Sequence, residues 1–237
     1  AGESTSFWKD AWRRFKQNKL AIIGIIVILL LTIMSLTGTM ISGQNYSDND
    51  LLNANQSPSL EHWFGTDHLG RDLFARTWYG ARISLFIGLM AAFLDLIIGV
   101  IWGTIAGYLG GRVDEYMMRI ADILSGVPYL LVVILLMVIM PAGLWTLIIA
   151  MTITGWIGMA RIVRGEVLKL KAEEFVMASR SLGASTTRII SKHLIPNALG
   201  AILVTLTLTI PTAIFTEAFL SFLGLGVPAP KASWGTM

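Results

Sequence analysis

The chain has 237 residues, of which 54% are hydrophobic and 14% charged, with a formal net charge of +3 and a mean hydropathy of +0.68. That is too little charge to cover a soluble domain of this length, so the composition predicts an all-α protein with several membrane-crossing helices. The absence of cysteine excludes disulfides and thiolate metal sites, and the small net charge does not suggest a nucleic-acid partner.

Residues 1–19 form a basic cytoplasmic segment in which Lys9, Arg13, Arg14, Lys16 and Lys19 interleave with Phe7, Trp8, Trp12 and Phe15. Trp8, Trp12 and Lys16 recur every four residues, which fits a helix lying on the membrane surface; a basic tail with only a topological role fits equally. No small-x-small cleavage site is evident, and the apolar run that follows is too long for a signal peptide. Residues 20–41 carry no charge, which is the length of one transmembrane span. Basic residues before it and none just after place its N-terminus in the cytoplasm.

Residues 42–82 then lie outside. Asp67, Arg71 and Asp72 are close enough in sequence to pair among themselves, and Gly65 and Gly70 permit tight turns. Thr66 or Asp67 is expected to cap a helix running from Leu69 toward Tyr79. His62 and His68 with Asp67 and Asp72 have irregular spacing, and no metal site is expected there.

Residues 83–109 are the second span and open a core region running to residue 237. Gly99, Gly103 and Gly107 recur every four residues, forming a stripe for close helix packing. Asp95 sits in mid-span and must face the bundle interior, a cavity or a partner. Gly110 and Gly111 turn the chain in the cytoplasm. The third span is expected from Asp114 through Pro128 to Met140, with Pro128 bending it and freeing carbonyls toward a cavity. Trp145 to Ala160 is the fourth span.

Residues 161–192 carry seven Lys or Arg against three acids, which keeps this loop inside. Within 166–197, Phe175, Ala178, Ser179 and Leu182 fall on one face of a short helix, with Lys169, Glu173 and Arg180 off it. Gly183 should break that helix, and Ser185 or Thr186 should cap a second piece, from Ile189 through His193, that Pro196 stops. The fifth span, 198–223, is interrupted by Pro211 and carries Glu217. Thr205, Thr207 and Thr209 alternate there, so not all can face one pore.

The charged residues of the spans permit two readings. Asp95, Asp122 and Glu217 could form the proton relay of a stand-alone carrier or channel. Alternatively Asp122 pairs with Arg119 at the membrane edge, Glu217 sits at the outer interface, and only Asp95 is deep. No phosphate-binding G-x4-GK[ST] loop, HExxH or G-x-S-x-G occurs. Ser221 and a possible base, His193, are expected about a membrane thickness apart, so no enzyme is predicted.

The 166–197 stretch resembles the EAA loop of ABC importer permeases, EAA-x3-G-x9-I-x-L-P. Met177, Ala178 and Ser179 stand at the triplet, where Met177 replaces the leading Glu. Gly183 stands at the glycine, and His193, Leu194, Ile195 and Pro196 at the closing motif. PS-x2-HWFGTD-x2-GRD followed by YGARISL, with GGRVDEYMMRIADILSGVP, is similar to the oligopeptide, dipeptide and nickel branch of that family, in its C-type subunit. The resemblance implies a type I importer permease fold of six spans, five of them within this chain, the N-terminus cytoplasmic, and TEAFLSFLGLGVPAPKASWG as an outer re-entry segment. A sixth span is expected beyond Met237, and Ala1 in place of Met suggests trimming at the front.

By the same resemblance the partners are a second permease, two cytoplasmic ATPases that hold ATP and magnesium, and an extracytoplasmic binding protein, in a prokaryotic inner membrane. The chain itself needs no cofactor. Glu174, Met177, Ala178, Ser179, Arg180, Gly183, Ala184, His193 and Pro196 become the ATPase-coupling loop, with Ala178, Ser179 and Gly183 buried in an ATPase groove and Glu174 and Arg180 at its rim. Gly65, Thr66, Asp67, Gly70, Arg71 and Asp72 become an outer signature. Asp95, Asp122, Pro128, Pro211 and Glu217 are candidates for the translocation path. Peptides are the expected substrate, with nickel chelates as the alternative within the branch.

Overall fold

The computed structural model describes residues 12, 13 and 15–237. Among these described residues, four helices are long and apolar enough to cross a membrane, or five if a bent pair counts as one span. The chain divides into two compact units, 1–82 and 83–237.

In the first unit, α1 (Lys19–Ser42) is a 24-residue helix, about 36 Å long at 1.5 Å per residue. Asn18 caps it by accepting the Ala21 N–H at 3.2 Å, and Gly43 ends it in the left-handed region. Most of its Ile, Leu and Val side chains are exposed, as a lipid-facing helix requires. Gly38 is buried beneath the Trp78 ring, where a Cβ would collide with it. Before α1, the Trp12 and Phe15 rings stack at 5.5 Å and Lys16 lies 5.4 Å from the Trp12 ring centre. Phe7, Trp8, Lys9 and Arg14 of the expected surface helix lie outside the described residues.

Helix α2 (Leu73–Leu109) is longer than the predicted second span, beginning ten residues earlier, and the boundary between the units falls within it. The expected helix from Leu69 is therefore corrected. Asp72, not Thr66 or Asp67, accepts the Ala75 N–H at 2.6 Å and starts the helix, because the 65–71 backbone is committed to a tight knot.

The second unit is built around α5 (Leu144–Leu170). One end of α5 contributes Leu147, Ile148 and Met151 to a core with Ile87, Val133 and Leu220. Its other end contributes Met159, Val163 and Val167 to a core with Val176, Ile189 and Leu194. That second core explains why α5 continues past the predicted end at Ala160. The Gly99, Gly103, Gly107 stripe lies against α5, where Cβ atoms would meet Met159, Val163 and Val167. The third span is not one rod. It comprises an amphipathic α3 (Gly111–Gly126) and an apolar α4 (Tyr129–Ile139), bent by 81°. Pro128 has no N–H to continue the ladder, and Val127 before it is forced into an extended conformation. At 11 residues, α4 spans about 16 Å, roughly half a hydrocarbon core.

Beyond α5 come α6 (Glu174–Ser181), the single turn α7 (Thr186–Ile189), a π-helical turn at Ile190–Leu194, and α8 (Ile195–Leu220), which runs on through a π turn at Ser221–Leu225. Two expectations about proline are corrected here. Pro196 does not stop the second piece, which continues without a break into α8. The π turn just before it shifts the hydrogen-bond register where the ladder lacks a donor, and the Asn197 side chain donates to the His193 carbonyl at 2.6 Å. Pro211 does not interrupt α8 either.

Candidate functional site

Three groups of residues stand out, one in the first unit and two in the second. In the first unit, residues 50–72 form a knot around Asp67. Its carboxylate accepts the N–H groups of Leu69 (2.8 Å) and Arg71 (3.0 Å) and the Arg71 Nε (2.7 Å). Burial alone would push this carboxyl up, but the two backbone donors and the Arg71 guanidinium outweigh it and hold it below its ordinary value of 3.8. Thr66 donates to the Asn53 carbonyl and accepts the Gln56 N–H at 2.9 Å. Gly65 and Gly70 have φ of +77° and +75°, and a Cβ on either would run into the backbone of Gln56 or Asp50. The six signature residues thus lie together, with one change from expectation: Asp72 pairs with His62 Nδ1 (2.9 Å) rather than with Arg71.

In the second unit, α6 and α7 form a helical hairpin on the polar end of the bundle. Gly183 turns it with φ +82°, and Ser185 caps α7 by accepting the Arg188 N–H at 3.3 Å. Val176 at 0% exposure, Ile189 and Leu194 anchor the hairpin to α5, with Ala184 packed against the same core. Ser179 Oγ lies 3.1 Å from His193 Nε2, joining the two arms, and the Arg180 guanidinium sits 5.7 Å from the Tyr108 ring centre. The apolar face predicted for this helix is not the anchoring face. Phe175 and Ala178 are exposed, as are Glu174, Met177 and Gly183, and Leu182 is 88% exposed. Lys169 belongs to α5, where it pairs with Glu166 at 2.9 Å.

The three intramembrane acids have three different environments. Asp122 pairs with Arg161 at 2.8 Å, not with Arg119, because the α3–α5 crossing brings Arg161 over it. Glu217 is not at an outer interface. It is 0% exposed and accepts hydrogen bonds from Ser84 (2.7 Å) and Ser221 (2.6 Å). Ser233 extends this cluster to Ser221 (3.2 Å), and the Trp234 N–H donates to Ser84 (3.1 Å), so residues 226–237 fold back onto α2 and α8.

Asp95 is 5% exposed, lies against Gly155, and opens onto a cavity of about 360 Å³. Tyr129 at the start of α4, beside Pro128, lines the same cavity, as do Thr205, Thr209, Thr212 and Thr216 of α8. Asp122, Pro128, Pro211 and Glu217 do not line it. Thr205, Thr209, Thr212 and Thr216 recur at i, i+4, i+7 and i+11, a helical stripe that the 205, 207, 209 alternation hides, and Thr207 does not line the cavity. Tyr129 and Gly155 carry no sequence pattern that marks them.

Residues 99–237 match the family described as binding-protein-dependent transport system inner membrane component, and residues 6–58 match the N-terminal TM domain of oligopeptide transport permease C. The oligopeptide transport system permease protein OppC of Bacillus subtilis (strain 168) is 67% identical over 235 residues, covering 99% of this chain and 77% of that protein. The dipeptide transport system permease protein DppC of the same organism is 60% identical over 234 residues, covering 99% and 73%. OppC of Escherichia coli (strain K12) is 41% identical over 237 residues, covering 99% and 78%. Among solved structures, an inward facing conformation of the MetNI methionine ABC transporter superposes with a TM-score of 0.52 at 21% identity, over 62% of this chain and 74% of that one. That likeness concerns fold alone, and it is the type I importer permease fold. With both ends of the chain matched and relatives similar over nearly all of it, this is a multi-pass membrane protein, not an enzyme, and it belongs to the inner-membrane permease family of binding-protein-dependent ABC transporters, on the branch that contains OppC and DppC.

Proposed function

We propose that the chain is one of two permease subunits of an ATP-driven importer of oligopeptides or dipeptides in a prokaryotic inner membrane. A second permease of similar fold completes the translocation path, and two cytoplasmic ATPases hold ATP and magnesium. An extracytoplasmic binding protein delivers the peptide. The peptide substrate is supported by the relatives, whose names specify oligopeptide and dipeptide transport.

The observation that carries the coupling role is mechanical continuity. The α6–α7 hairpin is bolted to α5 by Val176, Ile189 and Leu194 and runs without a break into α8. A push on the exposed Phe175–Leu182 face therefore moves a helix that lines the Asp95 cavity, rather than a slack loop. That is the two-site, two-state coupling an ATP-driven gate needs.

In this reading Phe175, Met177, Ala178 and Leu182 enter a dry groove on an ATPase, with Glu174 and Arg180 at the rim. The double variant Phe175→Asp, Met177→Asp places charge in that groove. It should reduce ATP-dependent tripeptide uptake into proteoliposomes by at least about tenfold, from the cost of burying unpaired charge. It should also release the ATPases during purification while leaving the melting of the permease unchanged. Wild-type uptake by that variant, with the ATPases still bound, would overturn the coupling role.

A further inference from the structure

The cavity beside Asp95 has an unusual hydrogen-bonding inventory. The Thr205, Thr209, Thr212 and Thr216 hydroxyls each donate to a carbonyl four residues earlier in α8, at 2.8, 3.0, 2.9 and 2.8 Å. Each hydroxyl has a single proton, so each meets the cavity with lone pairs only. Asp95 Oδ1 is buried with no hydrogen-bond partner among the described residues. Among the described residues, no Lys, Arg or His lines the space. The Tyr129 hydroxyl, also buried and unpartnered, and the Thr154 hydroxyl are the side-chain O–H groups on the wall that do not donate to a helix carbonyl. The wall therefore offers chiefly acceptors and one carboxyl group, and calls for a ligand rich in donors. An unpaired carboxylate at this depth is costly unless a cation answers it.

We infer that this cavity is a subsite for a protonated primary amine, with Asp95 as its counter-ion and the α8 threonine stripe as acceptors for its remaining N–H groups. A primary ammonium has three donors and no acceptor, matching one carboxylate oxygen and flanking hydroxyl lone pairs. The inference rests on the peptide-importer reading for its biological sense: peptides carry such a group at the N-terminus or on a lysine side chain. Gly155 belongs to the site because only its missing Cβ leaves room for the Asp95 carboxylate. The Asp95 site thereby assigns a specificity role to the membrane subunit, downstream of any selection by a delivery protein.

The test uses the full-length chain in nanodiscs, in whatever assembly it purifies with, and equilibrium binding of three probes: triglycine amide, N-acetyl-triglycine amide and Nα-acetyl-lysine amide. Triglycine amide should bind, and its acetylated form should bind at least about tenfold more weakly, the range for a charge-assisted hydrogen bond. Asp95→Asn, which keeps the shape, should erase that difference. Thr209→Val should weaken the ammonium probe several-fold and leave the acetylated one unchanged. Binding of the lysine probe assigns the side chain as a source of the amine, and its failure to bind assigns the N-terminus. Equal binding of the free and acetylated peptides, or an undiminished preference in Asp95→Asn, overturns the subsite. ATP-dependent peptide uptake by the wild-type complex is measured in parallel. If uptake is present while the amine preference is absent, the subsite falls and the importer stands; if uptake is absent, the importer reading falls instead.

Discussion

Asp67 shows how a surface carboxylate becomes structural. Three donors hold it ionised below its ordinary value of 3.8, so the stability it confers is present above that value and drains away as pH falls through its lowered folded value. The 50–72 knot should open on acidification before the rest of the chain, and Asp67→Asn should remove that pH dependence while lowering stability at neutral pH. Hydrogen exchange of the Leu69 and Arg71 amides across an acid titration reads it out; pH-independent protection in the wild type would contradict it. Glu217 is the buried counterpart. Removing it in Glu217→Ala orphans the Ser84 and Ser221 hydroxyls, at about 1–3 kcal/mol for each unsatisfied group. Glu217→Gln keeps the size and an acceptor oxygen and should cost less. Thermal melting ranks the two, and equal melting of both variants with the wild type would show that the hydroxyl cluster contributes nothing.

At the scale of elements, α5 is the part on which the second unit depends, since it contributes to both large cores. Its contact with α2 relies on the glycine stripe: a Cβ at Gly103 would meet Val163 Cβ at 2.9 Å and Arg164 N at 3.0 Å, besides the Ala160 carbonyl. Gly103→Val should therefore destabilise by about 1–3 kcal/mol or more through overpacking. Gly165→Val, where a Cβ meets nothing within 4 Å, should cost no more than its helix propensity change. Comparable melting of these two variants would mean the stripe is not a packing surface. The polar end of the contact is also tied down. Arg164 makes a two-pronged pair with Asp114 of α3, with one arm at 2.6 Å, and Lys171 Nζ donates to the Gly107 carbonyl at 2.7 Å, satisfying an orphan group at the end of α2.

At the scale of the whole molecule, the charge distribution predicts the orientation in the bilayer. The 161–192 stretch holds seven basic residues against three acids, so it should face the cytoplasm, with 43–72 on the opposite side. The chain contains no cysteine, which makes single-cysteine labelling clean. Ser57→Cys should react with an impermeant maleimide in intact cells, and Ser181→Cys only after permeabilisation; both are exposed. Labelling of Ser181→Cys in intact cells would invert the topology and remove the hairpin from any ATPase.

Composition and periodicity alone determined that this is a helical membrane protein, how many apolar stretches it has, and where the hairpin and the glycine stripe lie. Those features are local: uninterrupted hydrophobicity over a membrane thickness, three glycines at four-residue spacing, and Gly183 between two short amphipathic pieces can each be seen without knowing what packs where. Tertiary structure decided the partners. Asp122 meets Arg161 and Asp72 meets His62 because helix crossings and turns, not sequence distance, set which charges approach. Pro128 bends its span by 81° while Pro196 and Pro211 pass within helix, since the outcome depends on whether neighbouring structure and a shifted register can tolerate the missing donor. Glu217 and Asp95 look alike as single acids in apolar runs, and only folding gave one a cage of hydroxyls and left the other facing an open cavity.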